Sequence, residues 1–440
     1  MATTGTQVPG SGSMTGLNDM LKQVYTRAFE NNIEKESEVA DLINQAEGFE
    51  VIDGPDGKAI NIGHIFSSGG GVGGIYQDDY LPIPTVPTTK QSNLNIKELV
   101  AVVELSGQTL RRVKKGPAAF ISWADEALPR KAQRLAYQKD RMYLGTGTGI
   151  IARYAANPPT GTNDAITSAL GISNLESAEM MLLLDDGIRC SVNADGSSPR
   201  ANAMVVSKVD YVNKQISTTV AGSAGVSTSA AQNDYIFLGD TNINGGGTRE
   251  MMGFEGIIDD GTNVATFQGL ARSSFPQMNG QIVDSSAGGF TQALSEEILD
   301  VADTYCYERG NLGKPAVIFT SRSGQRSFWK TLKTDRHLND PRGQYIGGKV
   351  RLQMQLGDRI VTIAAARKCP MSRCYGIDTS SVLRFRIGSG RWDDTDGAVF
   401  NRVVDGQGRK DAFFAVYVEE ENLGAGDPAK NFKIINLAAA

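Results

Sequence analysis

The chain has 440 residues, 40% of them hydrophobic and 21% charged, with a formal net charge of −5. That length allows two or three modules with sizeable cores, and the acidic balance excludes a dedicated nucleic-acid binder, whose footprint is basic overall. Four scattered cysteines (Cys190, Cys306, Cys369 and Cys374) exclude a disulfide framework and predict a reducing compartment.

No segment reaches the roughly 18 consecutive apolar residues that cross a bilayer, so no membrane partner is expected. The N-terminal "MATTGTQVPGSGSMTG" lacks a basic region followed by an apolar run, which predicts no secretion signal and manufacture in a cytoplasm. The 50 glycines point to a β-rich design with many turns and bulges.

In chain order, Thr15 is the expected N-cap of a first helix whose Leu17, Met20, Leu21, Val24 and Ala28 share a face. A second, more charged helical stretch runs from Ile33 to Ala46. With no local core of their own, these helices read as an arm that lies on the body or on a neighbour.

Residues 49–98 read as an extended two-stranded excursion. "GKAINIGHI" alternates as a strand should, glycines and the proline-spaced "LPIPTVP" form a loose tip, and "NLNIKELVAVVEL" is strand-like again. A lone ribbon is marginal in water, so it is expected to pack on a neighbouring copy. "GPAAFISWADEALPRKAQRLAYQKDRMYLGTGTG" carries the longest helical pattern, with Phe120, Ala124, Leu128, Leu135 and Met142 on one face. Its roughly 27 residues make a rod of about 40 Å, with a kink expected at Pro129.

A small β subdomain is expected at about 185–262, from "AMVVSKVDYVNKQISTTV" and "NDYIFLGD". The helix "TQALSEEILDVADTYCYERG" places Leu294, Ile298, Val301 and Tyr305 in register. A buried strand "PAVIFTS", a short helix "SGQRSFWKTLK", and strands and hairpins from Val350 to the end complete an α+β order too irregular for a doubly wound sheet.

The chemical motifs are incomplete. Gly69, Gly71 and Gly74 in "SSGGGVGGIYQDDYLP" match G-x-G-x-x-G, yet Pro82, Pro84 and Pro87 block the helix a dinucleotide site needs. "GQYIGGKV" resembles a phosphate loop but puts Val350 where the Ser or Thr belongs. "DDTDG", residues 393–397, resembles the centre of a calcium loop with Trp392 and Val403 at ligand positions. "CPMSRC" lacks further zinc ligands, since His64 and His337 are the only histidines. The sequence therefore predicts no catalytic residues, no cofactor and no metal. Assembly contacts are expected instead at Gly69, Gly71, Gly73 and Gly74, and at the basic cluster Arg111, Arg112, Lys114 and Lys115. That cluster would face an acidic surface around Glu419 and Glu420 of "VEEEN" on another copy.

This order and several strings resemble the major capsid proteins of tailed bacteriophages, with the Hong Kong phage-type shell fold. The strings are the ribbon "GGGVGGIYQDDYLPIPTVPTTKQSNLNIKELVAVVELSGQTLRR", the helix end "QKDRMYLGTGTG", "ATFQGLARSSFPQMNG", "PAVIFTSRSGQRSFWKTLK" and the close "VEEENLGAGDPAKNFKIINL". The resemblance implies an N-arm (1–48), an E-loop (49–98) and a P-domain with spine helix (99–150, completed by parts of 262–290 and 410–440). An A-domain (151–409) would carry the β-rich insertion.

It further implies self-assembly as pentamers and hexamers into an icosahedral head in the virion, assembled in the bacterial host cytoplasm. Implied partners are a portal protein, a separate scaffold or decoration protein, and packaged double-stranded DNA met nonspecifically. A bacterial encapsulin-like nanocompartment shell is the alternative of the same architecture. A nucleotide-binding enzyme is the alternative of another class.

Overall fold

The computed structural model describes residues 37, 39, 40, 43, 51–53, 59–67, 69–77, 80–108, 118–155, 159–167, 187–193, 196, 198–210, 213–220, 230–238, 250–286, 292–310, 312–335, 345–346, 349–350, 352–388, 390–394, 399–405 and 408–438. The fold is α+β. Its labelled elements begin with strands β1 (Ala59–Ser67), β2 (Thr88–Asn95) and β3 (Lys97–Ser106), then helix α1 (Ala118–Tyr143). Six short strands follow, β4 (Ile150–Tyr154), β5 (Asp164–Thr167), β6 (Gly187–Ser191), β7 (Met204–Asp210), β8 (Gln215–Val220) and β9 (Tyr235–Leu238). Next come β10 (Gln281–Asp284), α2 (Glu296–Arg309), β11 (Val317–Thr320), α3 (Arg322–Asp335), β12 (Leu352–Leu356), β13 (Arg359–Ala365) and β14 (Cys374–Ile377). The long β15 (Gly408–Ala425) and β16 (Phe432–Ile435) close the chain.

The chain divides into two compact units. The first holds Lys97–Asp140, Arg386–Glu421 and the described residues before Asp41. Within it β15 runs antiparallel to β3, from Ala412↔Ser106 to Glu421↔Lys97. Leu99, Ala101 and Val103 of β3 and Ala415 and Tyr417 of β15 are buried at period two, which is one face of the sheet. On α1, Ala132, Leu135 and Ala136 are buried at helical spacing. The helix runs through Pro129 without interruption, since proline removes a single backbone donor there. Near residue 40, Ser37 caps a short helical segment by accepting from Ala40 N at 3.2 Å, and its hydroxyl donates to Asp140 at 2.5 Å.

The second unit contains a ribbon, a barrel and a mixed sheet. The barrel is closed, in the order β9-β4-β5-β8-β7-β6. Its core is its own: Ile151, Tyr154, Ile166, Ile188, Met204, Val206, Ile216 and Ile236 pack together. The β-rich segment expected at about 185–262 thus starts earlier, at Ile150, and its last strand ends at Leu238, because β4 must pair with β9 to close the ring (Ile150↔Phe237).

The mixed sheet runs β10-β16-β14-β11-β13-β12. Its inner strands β11 and β14 are buried at every position, and α2 and α3 supply Leu299, Ala302, Cys306 and Phe328 to the same core. Ser295 caps α2, accepting from Ile298 N, and Gly310 follows its end. The buried face of α2 is Ile298, Leu299, Ala302 and Cys306, so Val301 faces solvent instead of the core expected for it.

Candidate assembly surface

Strands β1 and β2 pair antiparallel from Ala59↔Asn95 to Ser67↔Thr88, a ribbon of about 30 Å at 3.3 Å per residue. Only its base is sunk into the body: Ser92 and Leu94 are buried, while Thr88 to Gln91 are exposed. Beyond Ser67 and Thr88 the two arms continue into a tip where Gly70 N donates to the Thr85 hydroxyl.

The tip reverses the usual distribution of apolar groups. Val72 is 99% exposed and Tyr80 94%, and Tyr76, Leu81, Ile83 and Val86 are exposed with them. Six large apolar groups within fifteen residues of chain are a patch that water solvates at a cost, and such patches mark interaction sites.

The four expected glycines divide into two pairs. Gly69 (φ +82°) and Gly71 (φ +104°) sit in the left-handed region, and a Cβ on either would press on the opposite arm, at the Thr85 carbonyl and at Pro84 Cα respectively. Gly73 has only Pro82 Cγ at 3.5 Å, and Gly74 faces open space. The described residues between Gly74 and Thr88 contain no helix, so no helix N-terminus meets the glycines as a dinucleotide site requires.

The ribbon's base is fixed by polar contacts that sequence reading missed. His64 Nδ1 lies 2.9 Å from the Gly426 carbonyl and Nε2 lies 2.6 Å from Ser92 Oγ. Asn93 N donates to the Gln268 carbonyl at 2.8 Å, and Asn422 Nδ2 donates to the Asn95 carbonyl at 2.6 Å. The His64 ring stacks on Phe66, which stacks on Phe275. Burial holds the imidazole below the usual histidine range, against the opposing pull of the Gly426 carbonyl and Asp427.

The acidic surface expected at Glu419 is corrected. Strand alternation turns Glu419 and Glu421 inward and leaves Glu420 on the other face. Lys139 Nζ, fully buried on α1, meets Glu419 at 2.6 Å and Glu421 at 2.9 Å. Glu420 is 3.2 Å from Arg391. The basic cluster Arg111, Arg112, Lys114 and Lys115 lies outside the described residues, as do His337, most of the expected arm and the centre of the calcium-like loop.

A second buried network lies in the second unit. Glu255 meets Lys433 at 3.1 Å, Arg373 at 3.1 Å and the Tyr375 hydroxyl at 2.8 Å, and Lys433 also reaches Asp259 at 2.9 Å. Burial pushes the Asp259 carboxyl up, but Lys433 and the amides of Val264 and Asn263 outweigh it and hold it below the usual range. These charges are matched among themselves, as buried charges must be. Burial likewise raises the Cys369 and Cys374 thiols well above their ordinary value, which makes them poor nucleophiles. Among the described residues no group of three His, Cys, Asp or Glu could hold a metal. In "GQYIGGKV", Tyr345–Ile346 pairs antiparallel with Lys349–Val350, a hairpin in place of a phosphate loop opening a helix.

No family model and no curated protein matches the chain. Solved structures do align with it over most of its length. The cyanophage A-1(L) capsid asymmetric unit is 12% identical with a TM-score of 0.48, covering 89% of this chain and 91% of that one. The capsid of the native GTA particle is 10% identical with a TM-score of 0.41, covering 92% and 91%. The holo-SrpI encapsulin of Synechococcus elongatus PCC 7942 is 8% identical with a TM-score of 0.37, covering 90% and 86%.

Proposed function

We propose that the chain is the major capsid protein of a tailed phage, a structural subunit whose copies close into an icosahedral shell around the genome. The observation that carries the reading is the ribbon tip. Its apolar side chains stand in solvent at the end of a long ribbon, and no described residue between Ile65 and Gln91 is buried. A second copy of the chain is the occupant: the tip of one subunit lies across its neighbour, and a head-to-tail contact of this kind closes into rings of five and six. Many such contacts, each modest, sum to a shell that dissociates slowly.

On this reading the ribbon is the E-loop and α1 the spine helix, and the division into N-arm, P-domain and A-domain is part of the proposal. Glu420, paired with Arg391 at 3.2 Å, is the carboxylate of "VEEEN" on the other face from Glu419 and Glu421, and Arg111, Arg112, Lys114 and Lys115 of another copy would compete for it. Packaged double-stranded DNA would be met through phosphates alone, and a portal with a scaffold or decoration protein would complete the virion.

Sedimentation velocity and negative-stain microscopy of the purified protein test the proposal. Closed shells, or rings of five and six, are the expected result. A monomer that persists under all assembly conditions overturns it, and particles filled with one specific protein cargo reassign the chain to a nanocompartment.

A further inference from the structure

The base of the ribbon holds the one histidine among the described residues, and its hydrogen-bond chain has a direction. The Gly426 carbonyl can only accept, so Nδ1 of His64, 2.9 Å away, carries a hydrogen. In a neutral ring Nε2 then accepts, and the Ser92 hydroxyl donates to it at 2.6 Å. Ser92 Oγ, fully buried, receives in turn from Gln268 Nε2 at 3.0 Å. The same amide is pinned by the backbone: Nε2 donates to the Ala425 carbonyl at 3.2 Å, and Oε1 accepts from Ala425 N at 2.8 Å. Each polar group in the chain is satisfied in this one sense.

A second proton on the ring reverses the chain. Nε2–H must now donate to Ser92, whose own hydroxyl hydrogen loses its acceptor, and only Gln268 Oε1, at the same 3.0 Å, is placed to replace it. The amide has to rotate to offer that oxygen. Its oxygen then faces the Ala425 carbonyl and its nitrogen faces Ala425 N–H, two repulsive contacts in place of two hydrogen bonds. The charged groups near the ring do not remove this conflict. Asp427 favours the imidazolium but follows Gly426 on the Nδ1 side, and Lys90, the cross-strand partner of His64, is exposed and of like charge.

We infer that His64, Ser92 and Gln268 form an acid-sensitive latch: the neutral imidazole fixes the base of the ribbon to the Ala425–Gly426 backbone, and protonation loosens it. A role in setting the ribbon for docking rests on the shell reading. The latch itself belongs to the single subunit and is tested there. A histidine whose folded-state constant lies below its unfolded value of about 6.5 stabilises the fold fully above that value and progressively less as pH falls toward the folded constant. The Asn93 and Asn422 hydrogen bonds do not titrate, so the ribbon's base loosens on acidification and does not detach.

The experiment measures hydrogen-exchange protection of 59–67 and 88–95 in unassembled full-length subunit from pH 8 to 5, corrected for the intrinsic exchange rate. Imidazole resonances are followed in parallel, with His337→Gln assigning the second histidine. Protection is expected to be flat above about pH 7 and to fall about tenfold per pH unit between the unfolded and folded constants of His64. His64→Gln should flatten the profile, since Gln accepts from Ser92 and does not titrate. Gln268→Met removes the amide conflict while His64 still titrates, and should shrink the fall. A wild-type profile that stays flat while His64 titrates, a full-sized fall in His64→Gln, or a fall unchanged in Gln268→Met each overturns the latch. Failure to form shells would leave this result standing, because no step of it requires assembly.

Discussion

Replacing Val72, Leu81, Ile83 and Val86 together by serine separates the ribbon's role in folding from its role in docking. Each of these residues is at least 78% exposed, so the subunit loses almost no packing, and its folding free energy should stay within about 0.5 kcal/mol of wild type. Docking should respond very differently. Full burial of such a side chain contributes about 1.5–3 kcal/mol, and a tip lying flat on a neighbour covers about half of each, or about 1 kcal/mol apiece. Four residues then remove about 4 kcal/mol per contact, close to a thousandfold in its dissociation constant. The entropy of association is common to wild type and variant and cancels from the difference. Guanidinium denaturation of the isolated subunit reads the first quantity. The critical concentration for assembly, by light scattering with sedimentation, reads the second. Assembly at the wild-type concentration would refute the reasoning, and so would a loss of subunit stability above about 1 kcal/mol.

Gly71→Val should impair assembly, because φ +104° and the approach of Pro84 oppose a branched side chain, while Gly73→Val should assemble as wild type; turbidity of the two single variants compares them. Lys139→Met leaves two buried carboxylates facing each other and should cost about 3–5 kcal/mol in chemical denaturation, with part of the loss restored by adding Glu419→Gln and Glu421→Gln. Replacing 150–238 by a short Gly/Ser bridge should leave the mixed-sheet core folded, since the barrel's core is its own and Ile150 pairs with Phe237 at its two ends. Far-ultraviolet circular dichroism and a retained cooperative melt would confirm it, and an insoluble or molten product would refute it.

The first arm of the ribbon, the long helix and the buried strand at Val317–Thr320 are legible because each is a local pattern: alternation, a 3.6-residue stripe, an apolar run. The second arm is not where "NLNIKELVAVVEL" places it: it is Thr88–Asn95, and Lys97 to Leu105 of that string pair with β15 instead. The barrel's first strands are not legible. Ile150–Tyr154 and Asp164–Thr167 are too short to show a period, and what makes them strands is closure with distant residues, Ile150 with Phe237 and Asp164 with Ile216. "VEEEN" misled for a related reason. A run of three carboxylates reads as a solvated face until the strand's alternation and the partner at Lys139 are known, and that partner is 280 positions distant. Val301 was assigned one helical step off the true face, an error of register that only the packing partner corrects. At the tip the glycine spacing was visible, but which two glycines the backbone requires depends on where Thr85 and Pro84 return across the fold. The latch at His64 had no local signal at all, because Ser92, Gln268 and Gly426 come from three separate segments.

Charge and apolar surface are placed in this chain in a way that bears on how its copies would hold together. The carboxylates of "VEEEN" that an electrostatic contact would need are largely spent inside the subunit, on Lys139, and the Glu255–Lys433–Arg373 network is likewise closed on itself. What the described surface offers in quantity is the apolar tip. A contact built on apolar area is non-directional and tolerates several angles of approach, whereas a fixed ion pair imposes one geometry. The tip also has the means to follow: Gly74 faces open space, and Gly69 and Gly71 let the arms cross closely without side chains between them. A subunit that must meet neighbours at the different angles of five-fold and six-fold rings needs this combination, an adhesive end that does not dictate orientation on a base that does. Hydrogen bonds to Gly426, Gln268 and Asn422 supply that base. Adaptability and precision are thereby assigned to opposite ends of one ribbon, and the protonation state of His64 acts on the precise end.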